Sequence, residues 1–363
     1  MPYTLEHIAQ AIGADLVGDP TVVISGAAEP ALATASDLAL AMSEAYAAGL
    51  VAGAAKAAIL WQGADWKSYG LKAALIPKRP RYAMAGLTAA LDPGQGFGTG
   101  IHPTAVIDPT AQLGADVSIG PFCVIGPRAQ IGQGTVIGPQ CFVGMDVVLG
   151  PEALLREQVS IGARAQIGAR LIAQPGARVG GDGFSFVTPD TSAVEEARHS
   201  LGKDHQAQAQ SYVRIHSLGA VTLGDDVELG SNTVIDNGTI RNTVIGDRTK
   251  LDNLVHIGHN VEVGTDCLLC GCVGIAGSAK IGNNVVLGGQ VGVSDNIFVG
   301  DNVIAGGGSK ILSNVPKGRV ILGYPATKME AQLESYKAIR RLPRLVRDVA
   351  ALRNAVFKKS ESD

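Results

Sequence analysis

From Ile101 onward, large aliphatic residues recur at every sixth position: Ile101, Ile107, Leu113, Ile119, Ile125, Ile131, Ile137, Val143 and Leu149. The register continues through Leu155, Ile161 and Ile167 to Val179, slipping only at Ala173. It resumes at Leu223, Leu229 and Ile235, slips again, and restarts at Ile245 for a long run through Ile257, Ile275 and Val293 to Ile311. A glycine usually follows each aliphatic, and the fifth position of each hexad is usually small, as in Ala105, Ala111, Val117 and Cys123. Fixed short-period self-similarity means a solenoid, and a hexad repeat predicts a parallel β-helix.

The flanks do not share this period. Residues 1–100 read as a small α/β domain: Thr4 caps a helix that runs to Gly13, and strand–turn–strand follows at Leu16, Asp19 and Ile24. The Ala-rich stretch Ala45–Leu60 is too short and too weakly apolar to span a bilayer, and is expected to be a helix–strand pair. The Gly-rich segment Asp92–Gly100 is the expected linker. The solenoid is expected over 101–323, with a loop at about 182–213 where the period is lost and the span Thr188–Ser211 is polar. Residues 324–363 turn helical, with one helix around Met329–Arg341 and a second, short one at Leu345–Val356.

Composition sharpens this picture. Gly is abundant at 47 residues and aromatics make up 4%, so Val, Ile, Leu and Ala must fill the core in a regular arrangement. A formal net charge of −3 gives no global case for nucleic-acid binding. The N-terminal stretch lacks a basic segment followed by an apolar one and does not read as a secretory signal. Five cysteines without framework spacing suit a reducing cytoplasm, so a cytoplasmic protein is expected.

Three hexads per turn place residues 18 apart on top of one another, separated by about the 4.8 Å strand spacing. His259 holds the third position of its hexad and should sit near a corner, facing out of the coil. Adding 18 gives Gly277 and adding 18 again gives Asp295, so a histidine, a glycine backbone and a carboxylate stack on one edge. An imidazole with an ordinary pKa near ~6.5 can take a proton from an attacking amine. A backbone N–H with no side chain in front of it can meet a developing oxyanion. A plain solvated histidine on a turn glycine is the competing reading. Cys267, Cys270 and Cys272 invite a metal, but Cys267 holds the small inward position, so the three thiols should not converge, and no metal is expected.

The segment from Asp252 to Asn260 resembles the active-site segment of the hexapeptide acyltransferases of lipid A synthesis. The α/β domain in front, Gly181-Asp182-Gly183-Phe184 and the Thr233–Gly238 segment together resemble the UDP-3-O-(3-hydroxyacyl)glucosamine N-acyltransferase family over nearly the whole chain. The resemblance implies a left-handed parallel β-helix and a homotrimer with sites between neighbouring helices. It implies His259 as general base toward the glucosamine 2-amino group and Gly277 as the oxyanion donor. The UDP-linked acylated glucosamine would meet Tyr46, Asp236, His256 and Asn296. The acyl donor would arrive on the phosphopantetheine of acyl carrier protein, with no cofactor bound to the chain itself.

This chain also departs from the family. Asn296 stands where the family often has a second histidine, and Leu40 replaces one of the two rings that stack the uracil. The polar stretch near Glu195–Gln210 looks like an insertion. The basic C-terminal residues, among them Lys337, Arg340, Arg341, Arg344, Arg347, Lys358 and Lys359, suit docking of an acidic carrier protein, with Arg340, Arg341 and Arg344 at the centre. The glycine run Gly306–Gly308, with Ser309 and Lys310, is the expected wall that sets acyl-chain length. Rival readings are another sugar-nucleotide acyltransferase of the same repeat, an acetyl-coenzyme A-dependent acetyltransferase, a zinc hydratase of the same fold and a non-catalytic scaffold.

Overall fold

The computed structural model describes residues 2–200, 209–324 and 326–357. The chain separates into two compact units, Met1–Gly96 and Phe97–Asp363. The boundary falls inside the glycine-rich segment.

In the first unit, Thr4 accepts the N–H of His7 at 3.3 Å and Gly13 closes the helix Leu5–Ile12 in the left-handed conformation. Five strands form one sheet in the order Ala14–Gly18, Ala73–Pro77, Ala57–Ile59, Asp37–Leu40 and Gly26–Ala28. The first pair is antiparallel and the rest are parallel. Helices Leu5–Ile12 and Pro80–Leu91 pack together, and Leu5, Ile8, Leu38, Ile59, Leu75 and Leu87 fill the core on that side.

In the second unit, two-residue strands stack in parallel into three long sheets, of ten, ten and nine strands. The hexad aliphatics point inward, and Ile119, Ile137, Leu155, Leu229, Leu251, Leu269 and Leu287 form one continuous buried column. Register advances by 18 residues in regular coils, as in Ile257↔Ile275 and Ile275↔Val293. Ala173 keeps its inward place between Leu155 and Leu229, so only side-chain size changes there. The fold is thus a left-handed parallel β-helix, mainly β, with a long C-terminal helix. From Asp116 onward most corners place one residue in the left-handed region, with φ of 57° at Asp116, 58° at Phe122 and 55° at Arg128. That conformation costs a non-glycine residue energy, and Asn or Asp fills many later corners, including Asn260, Asp266 and Asn284.

The late slip in the repeat proves to be one coil lengthened by four residues. Pairing steps by 22 for Leu223↔Ile245, Leu229↔Leu251 and Ile235↔Ile257, then returns to 18. The extra residues bulge at Gly238–Arg241, next to the hexad that carries His259. The earlier break is a protrusion. Phe186–Val187 pairs antiparallel with Val213–Arg214, and the helix Ala193–Ser200 starts on a Ser192–Glu195 capping box. Residues 201–208 of the expected insertion lie outside the described residues, as do Lys358 and Lys359.

The C-terminal region differs from expectation. A single helix spans Met329–Phe357, with Pro343 inside it, where two helices were expected. A proline removes one hydrogen bond and crowds the preceding turn, but the remaining ladder on both sides carries the helix through. No helix among the described residues is long and apolar enough to cross a membrane.

Candidate active site

His259 is half-buried at its corner, and the lengthened coil determines which way its proton lies. The bulge folds over Asn260: Thr239 N–H donates to Asn260 Oδ1 at 3.0 Å, and Asn260 Nδ2 donates to the Arg241 carbonyl at 2.9 Å. The Asn260 backbone N–H is held by Thr243 Oγ1 at 2.9 Å. These contacts fix the amide orientation. Oδ1 therefore faces His259 Nδ1 at 3.1 Å as an acceptor, so Nδ1 must carry the hydrogen. Nε2 is left as the lone-pair nitrogen.

That nitrogen faces Gly277. A β-carbon at Gly277 would lie 2.6 Å from His259 Nε2 and 2.7 Å from Cε1, so any side chain there would displace the ring. The N–H of Gly277 has no acceptor among the described residues. At some other corners of these coils the N–H is occupied by the next coil: Thr265 N–H donates to Asn283 Oδ1 at 2.9 Å and Asn283 N–H to Asp301 Oδ1 at 2.7 Å. Asp295, one coil above Gly277, instead accepts from Ser294 Oγ at 3.3 Å and from Asn296 Nδ2 at 3.0 Å. A lone-pair nitrogen and an uncommitted N–H thus share one corner.

A groove of about 540 Å³ runs from this corner along the outer face of the late coils. Its floor follows from the register: His256↔Gly274↔Gly292↔Lys310 form one outward column. Two successive glycines remove the side chains between the histidine and the lysine. Ala276, Val293 and Leu312 complete a largely apolar wall, and Phe184 closes it from the protruding segment. Lys310 Nζ donates to the Gln290 carbonyl at 2.8 Å.

Asp236 and His256 stand at the near end, with His256 Nε2 3.7 Å from Asp236 Oδ2. Burial pushes the Asp236 carboxyl above the usual carboxylate range, opposed by attraction to His256 and His259 and reinforced by Asp182.

The structure therefore brings together His259, Gly277, His256 and Asp236. Asn296 lies on an exposed corner with its amide turned to Asp295, and it does not line the groove of the single chain. Tyr46 is exposed on the short helix Glu44–Ala47 of the first unit, while Leu40 packs partly buried against that unit's core. Arg340, Arg341 and Arg344 are exposed on the C-terminal helix, with Arg344 Nε 3.8 Å from Asp348 Oδ2. Cys267 is buried and Cys272 exposed, so those thiols face different ways. Lys310 was expected from sequence in the wall that sets acyl-chain length, and it lines the groove; Asn260 as the orienting amide was not singled out from sequence. Two further steps of 18 from Gly274 reach Lys310, whereas the role of Asn260 needs the bulge that contacts it.

Fold and site define an acyltransferase of the hexapeptide-repeat class, and a model of the bacterial transferase hexapeptide family (six repeats) matches residues 110–144 and 242–277. UDP-3-O-acylglucosamine N-acyltransferase of Ruegeria pomeroyi is 65% identical over 363 residues, covering 100% of both chains. Its counterpart in Paracoccus denitrificans is 59% identical over 358 residues, covering 99% of this chain and 98% of that one. Among solved structures, the UDP-N-acetylglucosamine O-acyltransferase of Moraxella catarrhalis is 30% identical, covers 62% of this chain and 72% of its own, and superposes with a TM-score of 0.43. The chain belongs to the UDP-3-O-acylglucosamine N-acyltransferase family.

Proposed function

We propose that this enzyme transfers a 3-hydroxyacyl chain from acyl carrier protein to the 2-amino group of UDP-3-O-(3-hydroxyacyl)glucosamine, in lipid A biosynthesis. The observation that carries the reading is the His259–Gly277 corner at the mouth of a glycine-floored apolar groove. The acceptor amine attacks the thioester carbonyl while His259 Nε2 takes its proton. The carbonyl oxygen gains negative charge and is met by the uncommitted N–H of Gly277. Collapse of the tetrahedral intermediate breaks the C–S bond, and the phosphopantetheine thiolate leaves with the proton returned by the imidazolium. The acyl chain lies along Gly274 and Gly292, with the glycine-rich wall before Lys310 setting its length.

Asp236 and His256 hold the sugar beside the base, and Tyr46 stacks on the uracil. Arg340, Arg341 and Arg344 steer the acidic carrier protein, whose soluble donor places the reaction in the cytoplasm. The active form is a homotrimer. Two features of the single chain support this: the outward column containing Leu268, Ile304 and Val320, and the C-terminal helix with Leu333, Tyr336, Ile339 and Leu342, all leave apolar side chains exposed. A neighbouring copy can also bring Asn296 to a site that it does not reach in its own chain.

The test is transfer by purified protein from carrier-linked 3-hydroxyacyl donors of several chain lengths to UDP-3-O-acylglucosamine. N-acylated product is expected, with a preference for one length. Transfer of acetyl from acetyl-coenzyme A to an unacylated sugar, with no activity on the acylated one, would overturn the reading.

A further inference from the structure

The bulge that orients the Asn260 amide has little apolar packing at its tip, where Ile240 is 74% exposed. One flank is held by backbone. Leu218 N–H donates to the Thr239 carbonyl at 2.8 Å, and Gly219 N–H donates to the Gly238 carbonyl at 3.0 Å. The other flank is Arg241, whose carbonyl accepts from Asn260 Nδ2 at 2.9 Å. Gly219 leaves room for that carbonyl, since a β-carbon there would lie 2.7 Å from its oxygen. The Arg241 side chain turns back onto the next coil, with Nη1 2.8 Å from Glu262 Oε1.

Glu262 is met by a second cation. Its strand, Glu262–Val263, places it in the outward column Val244↔Glu262↔Lys280. Lys280 Nζ lies 3.7 Å from Glu262 Oε2, so each carboxylate oxygen faces one positive charge. The residue stacked beneath Glu262 is Val244, which carries no charge. The arginine comes instead from the lengthened coil, and the ion pair ties that coil to the strand just past Asn260.

An asparagine amide can turn over and exchange its oxygen for its NH₂. Here the Thr239 N–H and the Arg241 carbonyl select one orientation between them. With the Arg241 carbonyl withdrawn, a turned amide would offer Nδ2 to His259 Nδ1. The imidazole hydrogen would then move to Nε2, and the lone pair needed there would be lost.

We propose, given the reaction and the base assigned above, that Glu262 is a positioning residue: by holding Arg241 it keeps the Asn260 amide turned so that His259 Nε2 stays free of hydrogen. Glu262 acts through Arg241 and Asn260, not on the reacting atoms. An exposed ion pair shifts such a balance only about two- to fivefold, so the effect is modest and falls on turnover.

Glu262→Gln removes the charge and keeps the shape, and Glu262→Lys sets a third cation against Arg241 and Lys280. The side chain is 40% exposed, so both variants should melt close to the parent. With a carrier-linked 3-hydroxyacyl donor and the acylated UDP-glucosamine acceptor, kcat should fall about two- to fivefold in Glu262→Gln and about tenfold in Glu262→Lys. KM for both substrates should stay unchanged. In an Asn260→Ala background the same two changes should cost nothing further, because the amide they act through is gone. Equal kcat in the parent and both variants would overturn the proposal. A loss of the same size with and without Asn260 would also overturn it and make the ion pair a general support of the coil. So would a raised KM with kcat unchanged, which would place Glu262 in binding. If the unaltered protein acylates no acceptor, the functional reading itself falls.

Discussion

On the sheet that carries the site, the early coils turn Val106, Val124, Phe142, Ser160 and Arg178 outward, while the late coils turn His256, Gly274, Gly292 and Lys310 outward. The inward residues of the two regions are alike: Ile125, Val143 and Ile161 below, Ile257, Ile275 and Val293 above, all buried. The scaffold is thus maintained by one half of each hexad, and the chemistry is written in the other half. The late region also adds the four-residue bulge that clamps Asn260, which has no counterpart among the regular coils before Val179. Changing an outward late residue should therefore cost activity and spare stability, and changing the early scaffold should do the reverse.

The largest contrast comes from two glycines. Gly277→Ala places a methyl against the His259 ring, whose atoms are its nearest neighbours, so turnover should fall by about 10²-fold or more with the melting temperature little changed. Gly150→Ala drives a β-carbon to 2.4 Å from the Gly168 carbonyl oxygen, so it should destabilise the helix far from the corner. Thermal melts beside single-turnover rates for both variants would break the comparison if the two profiles were interchanged.

Next is Asn260→Ala, which frees the imidazole to rotate and change tautomer. A fall in kcat of about ten- to a hundredfold, with KM nearly unchanged, is expected, part of the ~10²–10⁴ that a general base contributes. Asn260→Asp keeps an acceptor for Nδ1 and should recover some of that loss. Equal kcat in all three proteins would remove Asn260 from the account.

Much of this contrast was legible in the sequence, because a strict hexad converts numbering into geometry. The step of 18 paired His259 with Gly277 before any coordinates did. The slip after Ile235 was visible as a slip, but its use was not, since the clamp on Asn260 consists of hydrogen bonds to backbone groups of Thr239 and Arg241. The hairpin escaped because each of its strands is two residues long and its polar surroundings mask Phe186 and Val187. Two C-terminal helices were expected where a single one runs through Pro343.

A smaller effect is expected at the C-terminal helix. Reversing charge at Arg340, Arg341 and Arg344 should raise the KM for the carrier-linked donor several-fold at low salt, and the difference should shrink as ionic strength shortens the screening length to ~8–10 Å. Salt-independent kinetics equal to the parent would make these residues an ordinary solvated face.

The smallest effect concerns stability. Burial raises the Asp236 carboxyl above the usual carboxylate range, so its ionised form is disfavoured in the folded protein. The cost is present at neutral pH and is relieved as pH falls through the raised value. Asp236→Asn should raise the melting temperature at pH 7 by about 1–3 °C, with the gain disappearing as pH falls toward 4, while acceptor binding weakens. A lower melting temperature at neutral pH would mean that the pair with His256 outweighs burial.

Whether His259 Nε2 is the base is measured most directly by kcat for His259→Ala beside His256→Ala, with melting curves for both. A base at His259 gives a loss of about 10²–10⁴-fold for His259→Ala, a modest loss for His256→Ala, and unchanged melting for each because neither side chain fills the core. Abolished activity in His256→Ala with most activity retained in His259→Ala would contradict it.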